Sequence, residues 1–121
     1  MKKLYILLIV PFFLLIPNSV LGQNIVINEI LTSNTYLNKD EDGTYQDWIE
    51  LYNNGATYVN LLGYGLSDNP AILNKWVFPN ISVGAGQYLI IWCSDKNRTV
   101  VGSPLHTNFK ISSSGNIISL S

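Results

Sequence analysis

Cysteine is nearly absent from this chain: Cys93 is the single one in 121 residues. An internal disulfide is therefore excluded, and the fold must be held by its apolar core. Cys93 follows the apolar run Tyr88 to Trp92. In that setting a thiol acts as a small buried hydrophobe, whereas a catalytic cysteine needs an exposed, electropositive site. Histidine is as scarce. His106 is the only one, so a metal centre built on several imidazoles is excluded. Ser103 lies near it in sequence, but no Gly-x-Ser-x-Gly elbow exists to strain and expose a serine, and no Gly-x-x-x-x-Gly-Lys-Ser/Thr phosphate loop occurs. Basic charge is thin as well. Beyond residue 22 it comes from Lys39, Lys75, Lys96, Arg98 and Lys110, scattered along the chain. Nothing concentrates the positive potential that a phosphate backbone requires, which argues against nucleic acid as a partner.

What is present begins with Met1, Lys2 and Lys3, followed by an almost unbroken apolar run from Leu4 to Ile16, interrupted by Pro11. That is the pattern of a secretory signal peptide. The run falls short of the about 20 apolar residues a membrane span needs, and Pro17, Asn18 and Ser19 end it. Val20 and Gly22 occupy the small-residue positions before a cleavage point, which predicts processing after Gly22 and a new amino terminus at Gln23. The expectation is a signal-peptide helix over residues 1–22, export to the extracellular space or the cell envelope, and no stable membrane span after cleavage. The remaining 99 residues, 23–121, make one domain, with five basic residues against eight acidic ones.

Strand signals rich in β-branched and aromatic residues recur over Ile25–Leu31, Trp48–Tyr52, Tyr58–Leu62, Tyr64–Leu66, Trp76–Phe78, Tyr88–Trp92, Phe109–Ile111 and Ile117–Leu120. None has the length or period of an amphipathic helix. Asn54-Gly55 predicts a tight hairpin between the second and third of these, Ser114-Gly115-Asn116 a reversal between the last two, and Gly84 with Gly86 another. Asp68-Asn69-Pro70 opens a longer excursion before Trp76. Many short strands in about 100 residues predict an all-β, immunoglobulin-like β-sandwich. Because residues 116–121 still carry a strand pattern, the expectation is a fold missing its last strand or strands, with an unpaired edge, in the N-terminal part of a longer protein.

The series Ile27-Asn28-Glu29-Ile30, Asp47-Trp48-Ile49-Glu50-Leu51-Tyr52-Asn53, Leu61-Leu62-Gly63-Tyr64-Gly65-Leu66-Ser67-Asp68 and Trp76-Val77-Phe78-Pro79 resembles the lamin tail domain family over nearly the whole of residues 24–121. Gly86 to Trp92 and Leu105 to Ile111 resemble its bacterial secreted branch. The resemblance implies an immunoglobulin-like sandwich with a binding or scaffolding role and no shared catalytic residues. In that branch the domain often precedes a CotH-type kinase domain or accompanies secreted hydrolases. Two functions follow as expectations. One is a non-catalytic secreted module that mediates attachment or assembly with a protein or cell-envelope component. The other is an accessory domain of an enzyme whose chemistry lies beyond residue 121.

Within the chain, Asn38-Lys39-Asp40-Glu41-Asp42-Gly43 alternates oxygen ligands as calcium loops do. The full loop pattern fails, because Ile49 stands where the bidentate carboxylate belongs. A looser calcium site on Asp40, Asp42 and Asp47 is the cofactor expectation, set against an ordinary solvated turn. Glu29 and Glu50 sit inside apolar strands and are expected to face solvent or fix a loop rather than act as acid and base. Trp48 and Trp92 are expected to pack inside. Tyr36, Tyr45 and Tyr64, nearer loops, are the candidate contact residues.

Overall fold

The computed structural model describes residues 24–115 and 117–121. The expected signal peptide, its expected cleavage point after Gly22, and Asn116 lie outside them. The described residues form nine strands and no helix: β1 Ile25–Leu31, β2 Asp47–Asn53, β3 Val59–Asn60, β4 Gly65–Ser67, β5 Trp76–Val77, β6 Ser82–Val83, β7 Tyr88–Cys93, β8 Leu105–His106 and β9 Ser119–Leu120. The described residues form an all-β, immunoglobulin-like sandwich. One layer is a four-stranded sheet in the order β1-β2-β7-β8, and the other is built from β3-β6 and β5-β4-β9.

The long strands follow from alternation. Successive side chains of a strand point to opposite faces, so in β2 Ile49 and Leu51 turn inward and are fully buried. Across the ladder they meet Ile91 and Leu89 of β7, and Ile91 in turn meets Leu105 of the parallel strand β8. Leu61, Leu66, Trp76, Phe78 and Val83 supply the opposing side of the same core, with Phe109 and Ile111 packed among them. The outer face of the four-stranded sheet carries three cross-strand rows: Val26, Tyr52 and Tyr88; Glu29, Glu50 and Ile90; and Leu31, Trp48, Trp92 and His106. A β-bulge between Ile27 and Glu29 keeps β1 in step.

Gly65 shows how closely the β4–β5 connection folds back on β4. A Cβ there would stand 2.7 Å from the carbonyl oxygen of Leu73 and 2.2 Å from Oδ1 of Asn74. Gly65→Ala is therefore expected to cost about 1–2 kcal/mol in a urea denaturation, as overpacking against backbone does.

Three sequence expectations need correction. Asn54-Gly55 is not a hairpin turn: β2 pairs with β1 and β7, while β3 pairs with β6 in the other layer. Neither residue has a positive φ. Instead Gly55 N–H donates to Oδ1 of Asn53 and Asn54 N–H to the carbonyl of Asn24, so the pair steers a crossover between layers. Phe109–Ile111 is not a strand; Lys110 makes a single bridge to Ser94, and Ser114-Gly115 separates no hairpin. The final strand is paired on one side and forms the edge of the sheet β5-β4-β9. β9 runs antiparallel to β4, and Ser121 and Gly65 exchange both backbone hydrogen bonds at 3.0 and 2.8 Å.

Candidate functional site

The polar chemistry of the domain gathers where the segment 32–46, between β1 and β2, lies over the row that ends in His106. Asn34 draws the two ends of this segment together: its Nδ2 donates to the carbonyls of Asn38 and Gln46, each at 2.9 Å, and its N–H donates to Oδ1 of Asp47. Within it, Asp40 forms a closed turn. Its Oδ1 accepts the N–H groups of Asp42 and Thr44, at 3.1 and 2.9 Å, and the Thr44 hydroxyl. Asp40 and Thr44 also bond through their backbones, and Gly43 supplies the positive φ of 77° that closes the turn.

Facing this turn is the strip 94–98, which follows β7. Asp95 and Asn97 adopt left-handed backbone with φ of 65° and 52°, a conformation Asp and Asn tolerate better than most residues. They alternate with Ser94, Lys96 and Arg98, whose side chains all engage the cluster. Lys96 Nζ binds Oδ2 of Asp40, and Oδ2 of Asp42 at 2.7 Å. Arg98 holds Asp42 and Glu41, each at 2.7 Å. Glu41 accepts His106 Nε2 at 2.8 Å, and His106 Nδ1 meets the Ser94 hydroxyl at 2.7 Å. The Asp40 side chain and His106 are both 0% exposed.

Burial opposes the charge on Asp40, but hydrogen bonds from Lys96 and Thr44 outweigh it and hold its pKa below the usual range. Glu41 is lowered in the same way, against burial, by its own backbone N–H, His106 and Arg98. Hydrogen bonds from Arg98 and Lys96 bring Asp42 down to about 2. A carboxylate whose pKa is depressed on folding stabilises the native state above its unfolded value, and that contribution is lost as pH falls through the folded one. Stability is therefore expected to drop between about pH 4 and the folded Asp42 value of about 2. Asp42→Asn should flatten this part of a urea-midpoint against pH curve.

Ser94, His106 and Glu41 contain the residue types of an acyl-transfer triad, but the arrangement serves another end. The serine is buried, and its oxygen also accepts the Lys96 N–H at 3.2 Å. The neighbouring groove is lined by Glu41, Asn97, Arg98, Ser103 and Pro104, among others, and does not reach Ser94. With a carboxylate on Nε2, the neutral ring keeps its proton there, and Nδ1 accepts from Ser94. The network is a clamp that fastens the segment onto the sheet.

Of the residues expected to hold calcium, Asp40 and Asp42 share this clamp, where Lys96 binds both, while Asp47 accepts from Asn34 at the base of the segment. The described side chains close enough to share one cation are Asp40, Glu41 and His106, with ligand atoms within 4.8 Å of one another. Tyr36 and Tyr45 stand on the same segment. Tyr36 is 76% exposed, and Lys39 lies over the Tyr45 ring at 5.0 Å. Tyr64 lies just before β4 in the other layer, half-buried against the core. Trp48 is buried on the outer face beneath neighbouring side chains rather than in the core, and Trp92 there is half-buried. Glu29 is exposed and Glu50 half-buried. Cys93 is buried, which pushes its pKa up to about 12. Glu41, Lys96, Arg98 and Ser94 were not singled out from sequence. The available signal was the alternation of Ser94, Lys96 and Arg98 opposite three consecutive acids.

Comparison with known families decides what this sandwich is: the Lamin Tail Domain model matches residues 20–121. The chain belongs to the lamin tail domain family. No curated protein and no solved structure matches it. Lamin tail domains are immunoglobulin-like and generally non-catalytic, which agrees with a segment whose titratable groups hold one another.

Proposed function

We propose that this lamin tail domain is a secreted binding and scaffolding module that attaches a larger exported protein to a protein or cell-envelope component. The observation that carries the reading is the clamp. Asp40, Glu41, Asp42, Lys96, Arg98 and His106 are spent on one another, so they fix the shape of a surface instead of presenting a reactive centre. Export rests on the basic and apolar start of the chain. A mature protein whose sequencing begins at Gln23 supports it; one that begins at Met1 counts against it. For binding, the protein immobilised on beads is to be exposed to solubilised cell envelope. Recovery of one component in repeated trials, competed by free protein, is expected, and repeated recovery of nothing specific removes the proposal.

The likeness of Gly86–Trp92 and Leu105–Ile111 to the bacterial secreted branch favours a second reading, in which the module accompanies a CotH-type kinase or a hydrolase. A kinase or hydrolase signature in the reading frame beyond Ser121 supports it, and repeats or a sorting tail support the attachment role alone. Calcium at Asp40, Asp42 and Asp47 would have to displace Lys96. Calorimetry with calcium chloride tests this: no heat and no melting shift at millimolar concentration would remove it.

A further inference from the structure

The clamp covers one of the three rows on the outer face of the four-stranded sheet and leaves the other two open. In the open part Tyr88 is 57% exposed, and its ring stacks on Tyr52 with centroids 4.6 Å apart. In the adjoining row Glu29 and Glu50 stand directly opposite each other across β1 and β2. Like charges so placed destabilise a sheet. The one mitigating contact is from Asn28, whose Nδ2 donates to Oε1 of Glu50 at 2.8 Å. Among the described residues no cation pairs with either carboxylate. β1, β2 and β7 carry no Lys or Arg, and Lys75, Lys96 and Arg98 are engaged with other acids. A merely solvated face needs no such repulsion, and an interspersed lysine or threonine would relieve it.

We infer that the open face formed by Val26, Glu29, Glu50, Tyr52, Tyr88 and Ile90 docks a basic polypeptide segment of a partner protein. This rests on the binding-module reading and gives it a surface. Charge complementarity selects the occupant. A guanidinium between Glu29 and Glu50 replaces like-charge repulsion with two charge-assisted contacts, and its flat face is matched by the neighbouring tyrosine stack. Val26 and Ile90 cover the aliphatic stem.

The test is an amide chemical-shift titration of the 15N-labelled protein with a tetra-arginine peptide, with tetra-glutamate and calcium chloride in parallel. Saturable shifts at Val26, Glu29, Glu50, Tyr52, Tyr88 and Ile90 are expected from tetra-arginine alone, weakening as salt is raised. Affinity should fall about tenfold in Glu29→Gln/Glu50→Gln, as loss of two exposed charge contacts allows, and should fall in Tyr88→Ala. The double variant is expected to melt no lower than the parent, which separates lost binding from lost folding. Shifts centred on Asp40 to Asp42, no saturable shift, or equal shifts from calcium overturn the inference. In the envelope experiment, equal capture by the parent and the double variant overturns this surface and leaves the module reading standing. Capture of nothing by the parent overturns the module reading, and the peptide titration still decides the surface.

Discussion

Ile91→Ala is expected to lower the stability of the domain by about 3–4 kcal/mol, within the range for emptying a fully buried aliphatic site. Ile91 is 0% exposed and lies between Ile49 on one neighbouring strand and Leu105 on the other. The facing layer reaches the same core through Leu66, Phe78 and Val83. A sheet held from both sides relaxes little into a cavity, so most of the lost packing stays lost. Ile91→Val should cost about 1 kcal/mol by the same reasoning. Urea denaturation measures both. Near-equal effects of the two substitutions would mean that β7 does not occupy the centre of the core.

Lys96→Met is expected to cost about 2–3 kcal/mol, somewhat less than removing one partner of a fully buried ion pair, because the Lys96 side chain keeps 22% of its exposure. The loss comes from what is left behind. Asp40 has no solvent-exposed side-chain surface; without the ammonium it retains only Thr44 and the Asp42 N–H as partners. Folding would then require either an unpaired buried charge or proton uptake. Neutralising that carboxylate should restore part of the stability, so Lys96→Met/Asp40→Asn is expected to be more stable than Lys96→Met by about 1 kcal/mol. If the double variant lost the sum of the two single losses, the pair would not be coupled, and the clamp would owe its shape to the turn alone.

Much of the fold was legible because the long strands announce themselves. Ile25–Leu31 matched the observed β1 end to end, and Trp48–Tyr52 and Tyr88–Trp92 each extended by one or two residues. Their alternation is dictated by the core they face. The two-residue strands Ser82–Val83 and Leu105–His106 were not legible, since two residues carry no period. Asn54-Gly55 misled because Asn-Gly favours a hairpin only where nothing else claims its backbone groups. Here Asn53, with its side chain fully buried, and Asn24 claim them. Asn53 also donates to the carbonyls of Thr57 and Val83, tying the crossover to the opposite layer.

The site was legible only in half. Three consecutive acids ending in glycine mark a loop with chemistry to explain, and their spacing suggests a cation. What sequence could not say is that Lys96 and Arg98 reach these acids. Lys96 is 56 positions from Asp40, and His106 is 65 from Glu41. Only the β1-β2-β7-β8 order, with the return through residues 94–104, brings them together. The same order explains the tyrosines. Tyr64 was grouped with Tyr36 and Tyr45 for lying near turns, yet the approach to β4 draws it against the core.

Hydrogen exchange at the Asp42 and Thr44 amides tests most directly whether the acidic turn is fastened by Asp40 and its lysine. Both N–H groups end on Oδ1 of Asp40. They are expected to exchange far more slowly than the amide of the exposed residue Tyr36 at neutral pH, and to lose that protection in Lys96→Met. Exchange at the rate of an open loop in the parent protein, or protection unchanged by the substitution, would contradict the clamp.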